Sequence, residues 1–346
     1  YNLVIIFAKV LLFSFSKIFN SMTIPLFQKN LSYKNTVIVF IVSLLIVSTY
    51  YNYPRVLFYH PQSIHFWRQS DCASTALLYS EHGMHFFKPE IHNLLSDGET
   101  TGYAVGELPV IYYVAGAMYK VFGHHEFILR GINLLIVFMG LFYFFKLAYF
   151  LSSDSFWAVV LPLLLFTSPL LVYYSNNYLP EAPSLGLNII GWYFFFKFYK
   201  KPSTLNLVLS VIFFAFAAMI KVTSGMSLIV LIILLITELA GFVVLARPFR
   251  LYKLPLKSAL IIMAGVAFVV AWYTFAIRYN AIHHSGYFRT GILGFWQISS
   301  LEIDKTFTQM SRIWKFFIFN DSVYFIMGIV FILVLINFGQ KMLLLI

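Results

Sequence analysis

The sequence predicts an all-α polytopic membrane protein of about eight transmembrane helices, with a large first external loop carrying interfacial helices. Three observations predict it. Of the 346 residues, 60% are hydrophobic and only 11% are charged, with a mean hydropathy of +0.82. A soluble chain is about 25% charged, and one core could not hide this much apolar surface. The apolar residues fall in blocks of helical-span length rather than in the short alternating segments of an outer-membrane barrel. The net charge of +11 does not indicate nucleic acid in such a chain, because basic residues collect on the cytoplasmic rim.

Residues 1–35 are read as an N-terminal segment, interfacial or an upstream extension, with Met22 a plausible start of translation. Spans are expected at about 36–52, 128–150, 156–174, 183–199, 205–221, 225–245, 258–278 and 322–339. The external loop, 53–127, holds seven of the thirteen acids and seven of the nine histidines. Within it, Leu108–Phe122 is apolar but short for a crossing, and reads as a helix lying in the interface. The module 36–278 is followed by a second external loop and last span, 279–346.

Orientation follows from the short loops. With 53–127 outside, the inward ends carry Lys34, Lys146, Lys197, Lys200, Lys201, Arg247, Arg250, Lys253 and Lys257, while the outward turn 175–182 has no Lys or Arg. The single cysteine, Cys72, excludes an internal disulfide.

In so sparsely charged a chain, ionisable groups near the outer face are the functional candidates. Asp71 follows Arg68-Gln69-Ser70, and Ser70 or Asp71 can cap a helix running to about Glu81. Capping alone would account for Asp71; a carboxylate in a partly dehydrated cleft would be a general base. Arg68 could hold that acid ionised or bind an anion. Glu107 precedes the interfacial helix, in a segment that also offers Tyr103 as a substrate-binding candidate. Glu181 stands between prolines at a helix start. Acids at such positions are common for electrostatic reasons alone, but three on one membrane face are harder to dismiss together. Lys221 ends an outward-going span, where it could snorkel to lipid phosphate or bind a phosphate leaving group. Arg278 and Arg289 are further external cations. The pairs His124-His125 and His283-His284 point apart on any regular element and read as surface histidines, not metal ligands. No phosphate loop or nucleophile elbow is present.

The run from Arg68 to Gly131 resembles the membrane glycosyltransferases of the GT-C type, nearest to the aminoarabinose transferases and protein O-mannosyltransferases. The resemblance rests on Asp71, Ala73–Tyr79, Glu107-Leu108-Pro109, Ile111-Tyr112-Tyr113 and Tyr119-Lys120-Val121-Phe122-Gly123, followed by Glu126-Phe127 and Arg130. Pro180-Glu181-Ala182-Pro183 is similar to the family's Asp-x-Pro turn with Glu in place of Asp. Lys221–Gly225 and Ala271-Trp272-Tyr273 are looser matches.

The resemblance implies sugar transfer from a polyprenyl-phosphate donor to an acceptor hydroxyl on the non-cytoplasmic face of the cytoplasmic membrane, with inversion. Asp71 would be the base. Lys221, Arg68, Arg278 and Arg289 would stabilise the leaving phosphate, and Glu107 and Glu181 would position sugar. The acceptor would be a glycan, lipid or protein. Three carboxylates could bind a divalent cation, but no required metal or other cofactor is expected. The rival readings are a lipid-linked glycan polymerase or ligase, a transporter, and a structural membrane subunit. Convergence of Asp71, Glu107 and Glu181 on one outward cavity would favour the transferase.

Overall fold

The computed structural model describes residues 31–94, 101–241, 252, 255–288 and 295–314, with single positions between 318 and 328. Among the described residues it is all-helical, without a strand; one isolated bridge joins Glu90 to Tyr103.

Helix α1, Tyr33–Tyr50, is capped by the Ser32 hydroxyl, which accepts from the Asn35 amide. The short α2, Tyr53–Val56, leads into the segment between the first two long apolar helices. There α3, Phe66–Glu81, and α4, Val110–Phe122, pack together, and α5 follows at Glu126–Ser152. Asp154 caps α6, Ser155–Phe166, by accepting from the Phe156 and Trp157 amides. Pro169 opens α7, Pro169–Ser175, after a break that turns the axis by 75°. Proline cannot continue the ladder of the preceding helix, which accounts for the break. Next come α8, Glu181–Lys200, and α9, Thr204–Ile220. A 3₁₀ turn, Val222–Gly225, leads to α10, Met226–Leu239, then α11, Pro255–Ile282, and α12, Ser300–Gln309.

Four helical stretches are long and apolar enough to cross a membrane: Tyr33–Tyr50, Glu126–Ser152, Val222–Leu239 and Pro255–Ile282. The bent pair α6–α7 makes a fifth if counted as one span. The expected count of eight is therefore not reached among the described residues. Helix α9 has only 17 residues, and α8 carries Glu181, Lys197 and Lys200 on its ends. The expected span at 322–339, and residues 1–30, lie outside the described residues but for isolated positions.

The bundle is held by close backbone approach as well as by aromatic packing. A Cβ at Gly140 of α5 would stand 2.4 Å from the Gly186 Cα of α8, so the two helices cross glycine on glycine. Phe40, Phe145 and Phe166 tie α1, α5 and α6 into one cluster; Phe214, Leu231 and Ile262 join α9, α10 and α11 in another. Outside the spans, Ala76 and Tyr79 of α3 pack on Ala115 and Tyr119 of α4. A Cβ at Gly116 would meet the Ala76 carbonyl at 2.7 Å, so this contact too needs glycine.

One local expectation changes. Helix α3 starts at Phe66, after His65 in the left-handed region (φ 57°), so Asp71 lies inside the helix rather than at its cap. The helix begins earlier because a sharp backbone reversal at His65, not a polar side chain, ends the preceding turn. Capping therefore no longer accounts for Asp71.

Candidate active site

The N-terminal parts of α3 and α8, the C-terminal end of α9 and the segment before α4 meet at one place. Glu181 is the first residue of α8 and Lys221 directly follows the last residue of α9. Lys221 Nζ donates to Glu181 Oε1 at 2.9 Å and to Glu107 Oε1 at 3.2 Å. From α3, Arg68 donates to Glu181 Oε1 at 3.0 Å and lies 3.8 Å from Glu107 Oε1. Two cations and two carboxylates thus form a closed quartet, with side chains 24–29% exposed. The second oxygen of Glu181, Oε2, is buried and has no hydrogen-bond partner among the described residues.

Local structure fixes each member. The Leu108 amide donates to the Met219 carbonyl at 2.9 Å, which sets Glu107 beside Lys221. Asn280 of α11 clamps the strand-like segment before it by exchanging two hydrogen bonds with the Val105 backbone. The turn that presents Glu181 is anchored from α5. Arg130, 2% exposed, donates to the carbonyls of Asn176, Tyr59 and His60 and lies 4.4 Å over the Tyr178 ring. Asn133 donates to the Asn177 carbonyl at 2.9 Å.

Beside the quartet opens a cleft of about 150 Å³. Arg68, Asp71 and Glu107 line it, with Trp67, Tyr112, Tyr287 and Phe288 among the aromatic walls. The Tyr287 hydroxyl donates to Asp71 Oδ2 in a short hydrogen bond. Burial lifts the Asp71 carboxyl above its ordinary 3.8, against the opposing pulls of the Tyr287 hydroxyl and the Arg68 charge. The Tyr287 phenol is pushed up to about 12, first by burial and then by the neighbouring carboxylate, so it stays protonated and donates. A carboxyl of raised pKa beside a guanidinium, in an aromatic cleft, is suited to proton abstraction near neutral pH.

Five of the residues singled out from the sequence therefore come together: Arg68, Asp71, Glu107, Glu181 and Lys221. Lys221 and Glu181 stand behind the cleft lining rather than in it. Tyr103 is not part of the lining; its ring packs on His283 at 4.7 Å and on Tyr279 at 6.2 Å. Arg278 lies exposed on α11 and forms no ion pair with the quartet. Arg289 lies outside the described residues. Tyr287 was missed, and nothing in the sequence separates it from the other 22 tyrosines. Among the described residues no group of three His, Cys, Asp or Glu side chains is placed to hold a metal ion. In the quartet the space between the two carboxylates is taken by Lys221 and Arg68.

Fold and site define a multi-pass helical membrane protein in which Arg68, Asp71 and Glu107 line one cleft at the helix ends, with Glu181 and Lys221 behind them. Residues 107–275 match the family model of the dolichyl-phosphate-mannose-protein mannosyltransferases, a family of the GT-C type. The GT-C resemblance is borne out over that segment, which spans just under half of the chain. The matched segment includes Glu107, Glu181 and Lys221 and stops short of Arg68, Asp71 and Tyr287. Nothing matches in the comparisons with curated proteins and with solved structures.

Proposed function

We propose that the protein transfers a hexosyl or pentosyl unit from a polyprenyl-phosphate donor to an acceptor hydroxyl, on the extracytoplasmic side of the cytoplasmic membrane. The observation that carries this reading is the meeting of Arg68, Asp71, Glu107, Glu181 and Lys221 around one aromatic cleft, from segments up to 153 residues apart in sequence.

Asp71 is the general base. Tyr287 holds one carboxylate oxygen, which leaves the other to take the acceptor's proton. The acceptor oxygen attacks the anomeric carbon while the bond from that carbon to the phosphate oxygen breaks. Direct displacement inverts the configuration, the proton ends on Asp71, and the lipid phosphate leaves with the electron pair. Arg68 stabilises the growing phosphate charge from the cleft wall, and Lys221 adds its field from behind Glu107. Glu107, in the cleft lining, holds a sugar hydroxyl, and Glu181, behind it, positions the sugar through the Arg68 and Lys221 cations that it pairs. The acceptor is a glycan, a lipid or a protein.

The test is incubation of the purified protein with a panel of polyprenyl-phosphate sugars and a mixed acceptor pool, following release of polyprenyl phosphate. Wild type is expected to consume at least one donor, and Asp71→Asn to bind the same donor without consuming it. Equal turnover by Asp71→Asn would remove the base from Asp71. Consumption of no donor, with tight binding of none, would remove the transferase reading.

A further inference from the structure

At the end of the bundle away from the quartet, lysines gather with no acid to answer them. Helix α8 starts with Glu181 in the quartet, and Lys197 lies about 24 Å further along its axis. Helix α5, which crosses α8 glycine on glycine, brings Lys146 to the same level. The Lys146 ammonium stands 4.6 Å from the Tyr143 ring centre, 5.8 Å from that of Phe142 and 4.8 Å from that of Tyr193. The Lys197 ammonium stands over the same Tyr193 ring, at 5.6 Å. Lys200 reaches back from α8 to α5 and lies 4.6 Å over Phe150. Two like charges thus share one tyrosine, and a third bridges the same pair of helices.

Nothing negative stands among them. No ion pair of the described residues includes Lys146, Lys197 or Lys200. Residues 1–70, 182–237 and 239–301 contain no Asp or Glu. Among the described residues, the acids that fall at this end, Asp154 and Glu238, are taken up by backbone amides. Asp154 accepts from Phe156 and Trp157, and Glu238 from Tyr252. The ring faces offset part of the repulsion between the cations. They also fix the lysine stems, which separates this group from lysines that snorkel singly. Lys146 and Lys197 are half-buried and Lys200 is exposed, so the group stays open to an anion.

We infer that the α5–α8 lysine group seats the phosphate of an anionic phospholipid, in the leaflet away from the quartet. Basic groups between spans recognise such headgroups by charge. The helix beneath the group argues for a lipid rather than free phosphate. On α5, Leu135, Met139 and Tyr143 follow at four-residue spacing on one face, with Leu135 61% and Met139 46% exposed. They give an acyl chain an apolar track that ends one turn from Lys146, and inorganic phosphate has no use for it. The inference does not rest on the transferase reading, since the seat shares no residue with the cleft or the quartet.

The experiment uses the full chain in phosphatidylcholine nanodiscs that contain a small fraction of phosphatidylglycerol bearing a diazirine beside its phosphate. Photolabelling is expected in peptides spanning 142–152 and 193–201. Unlabelled phosphatidylglycerol should displace the probe, and inorganic phosphate at the same concentration should not. The double variant Lys146→Gln/Lys197→Gln keeps both stems and removes both charges. It should cut the labelling about tenfold or more, as a lost binding energy of about 1.4 kcal/mol would. Lys257→Gln, which removes an exposed cation of α11 outside the group, should label as wild type does. Labelling spread evenly over all helix ends, labelling unchanged in the double variant, an equal loss in Lys257→Gln, or displacement by inorganic phosphate as readily as by phosphatidylglycerol would each overturn the inference.

Discussion

Lys221 is the hinge of the charged quartet. It is shared by two carboxylates, at 2.9 Å and 3.2 Å, whereas Arg68 holds Glu181 closely and Glu107 only at 3.8 Å. Lys221→Met leaves Glu107 without a close cation and tips the quartet from neutral to a net charge of −1. At an effective dielectric near 20, each contact of about 3 Å carries an attraction of roughly 5 kcal/mol before any cost is subtracted. Repulsion from Arg68 and the desolvation of four ions remove much of it. An exposed pair is worth about 0–1 kcal/mol, and removing one partner of a buried pair costs about 3–5 kcal/mol. At one-quarter exposure the quartet stands between these limits, so the single variant should lose about 2–3 kcal/mol.

The double variant Lys221→Met/Glu107→Gln restores neutrality and should recover part of that loss, with a coupling energy of about 1–2 kcal/mol. The assay is a double-mutant cycle on the denaturation midpoint of the solubilised protein, run beside donor turnover. Midpoints that simply add, with no recovery in the double variant, would refute the quartet as a coupled unit. So would a Lys221→Met midpoint equal to wild type, which would leave Lys221 a snorkelling surface cation. Turnover should stay low in the double variant even where stability returns, because the positive field that Lys221 supplies from behind Glu107 is still missing.

Asp71→Asn should lower the transfer rate by about 10²–10⁴-fold at unchanged membrane insertion, measured by donor turnover. The base works only when ionised, so activity should fall as pH drops through the raised Asp71 value, placing the acid limb above 3.8. Tyr287→Phe removes a hydrogen bond that lowers the Asp71 pKa, so the acid limb should move to still higher pH in a pH–rate profile; a limb moving down would contradict the pairing. Gly140→Val should destabilise the bundle by about 1–3 kcal/mol or block its folding, because the new side chain strikes the Gly186 backbone; thermal melting reads this directly.

How legible all this was in the sequence depended on which physical signal each feature left. The membrane helices follow from apolar length, so α1, α5, α10 and α11 fall close to their expected spans. The bend at Thr167-Ser168 left only Pro169 as a sign, and a window of apolar residues reads straight through it. The four charges of the quartet were legible for a related reason. In a chain with so few ions, each one at a helix end costs free energy unless something answers it. That argument says that Arg68, Glu107, Glu181 and Lys221 need partners, and it cannot say that they find one another, because the meeting depends on how α3, α8 and α9 cross. Tyr287 left no signal at all, since a neutral phenol among 23 tyrosines violates no rule of burial or charge. Charge scarcity thus pointed toward the cleft, while the neutral groups in its wall became visible only once the helices were packed.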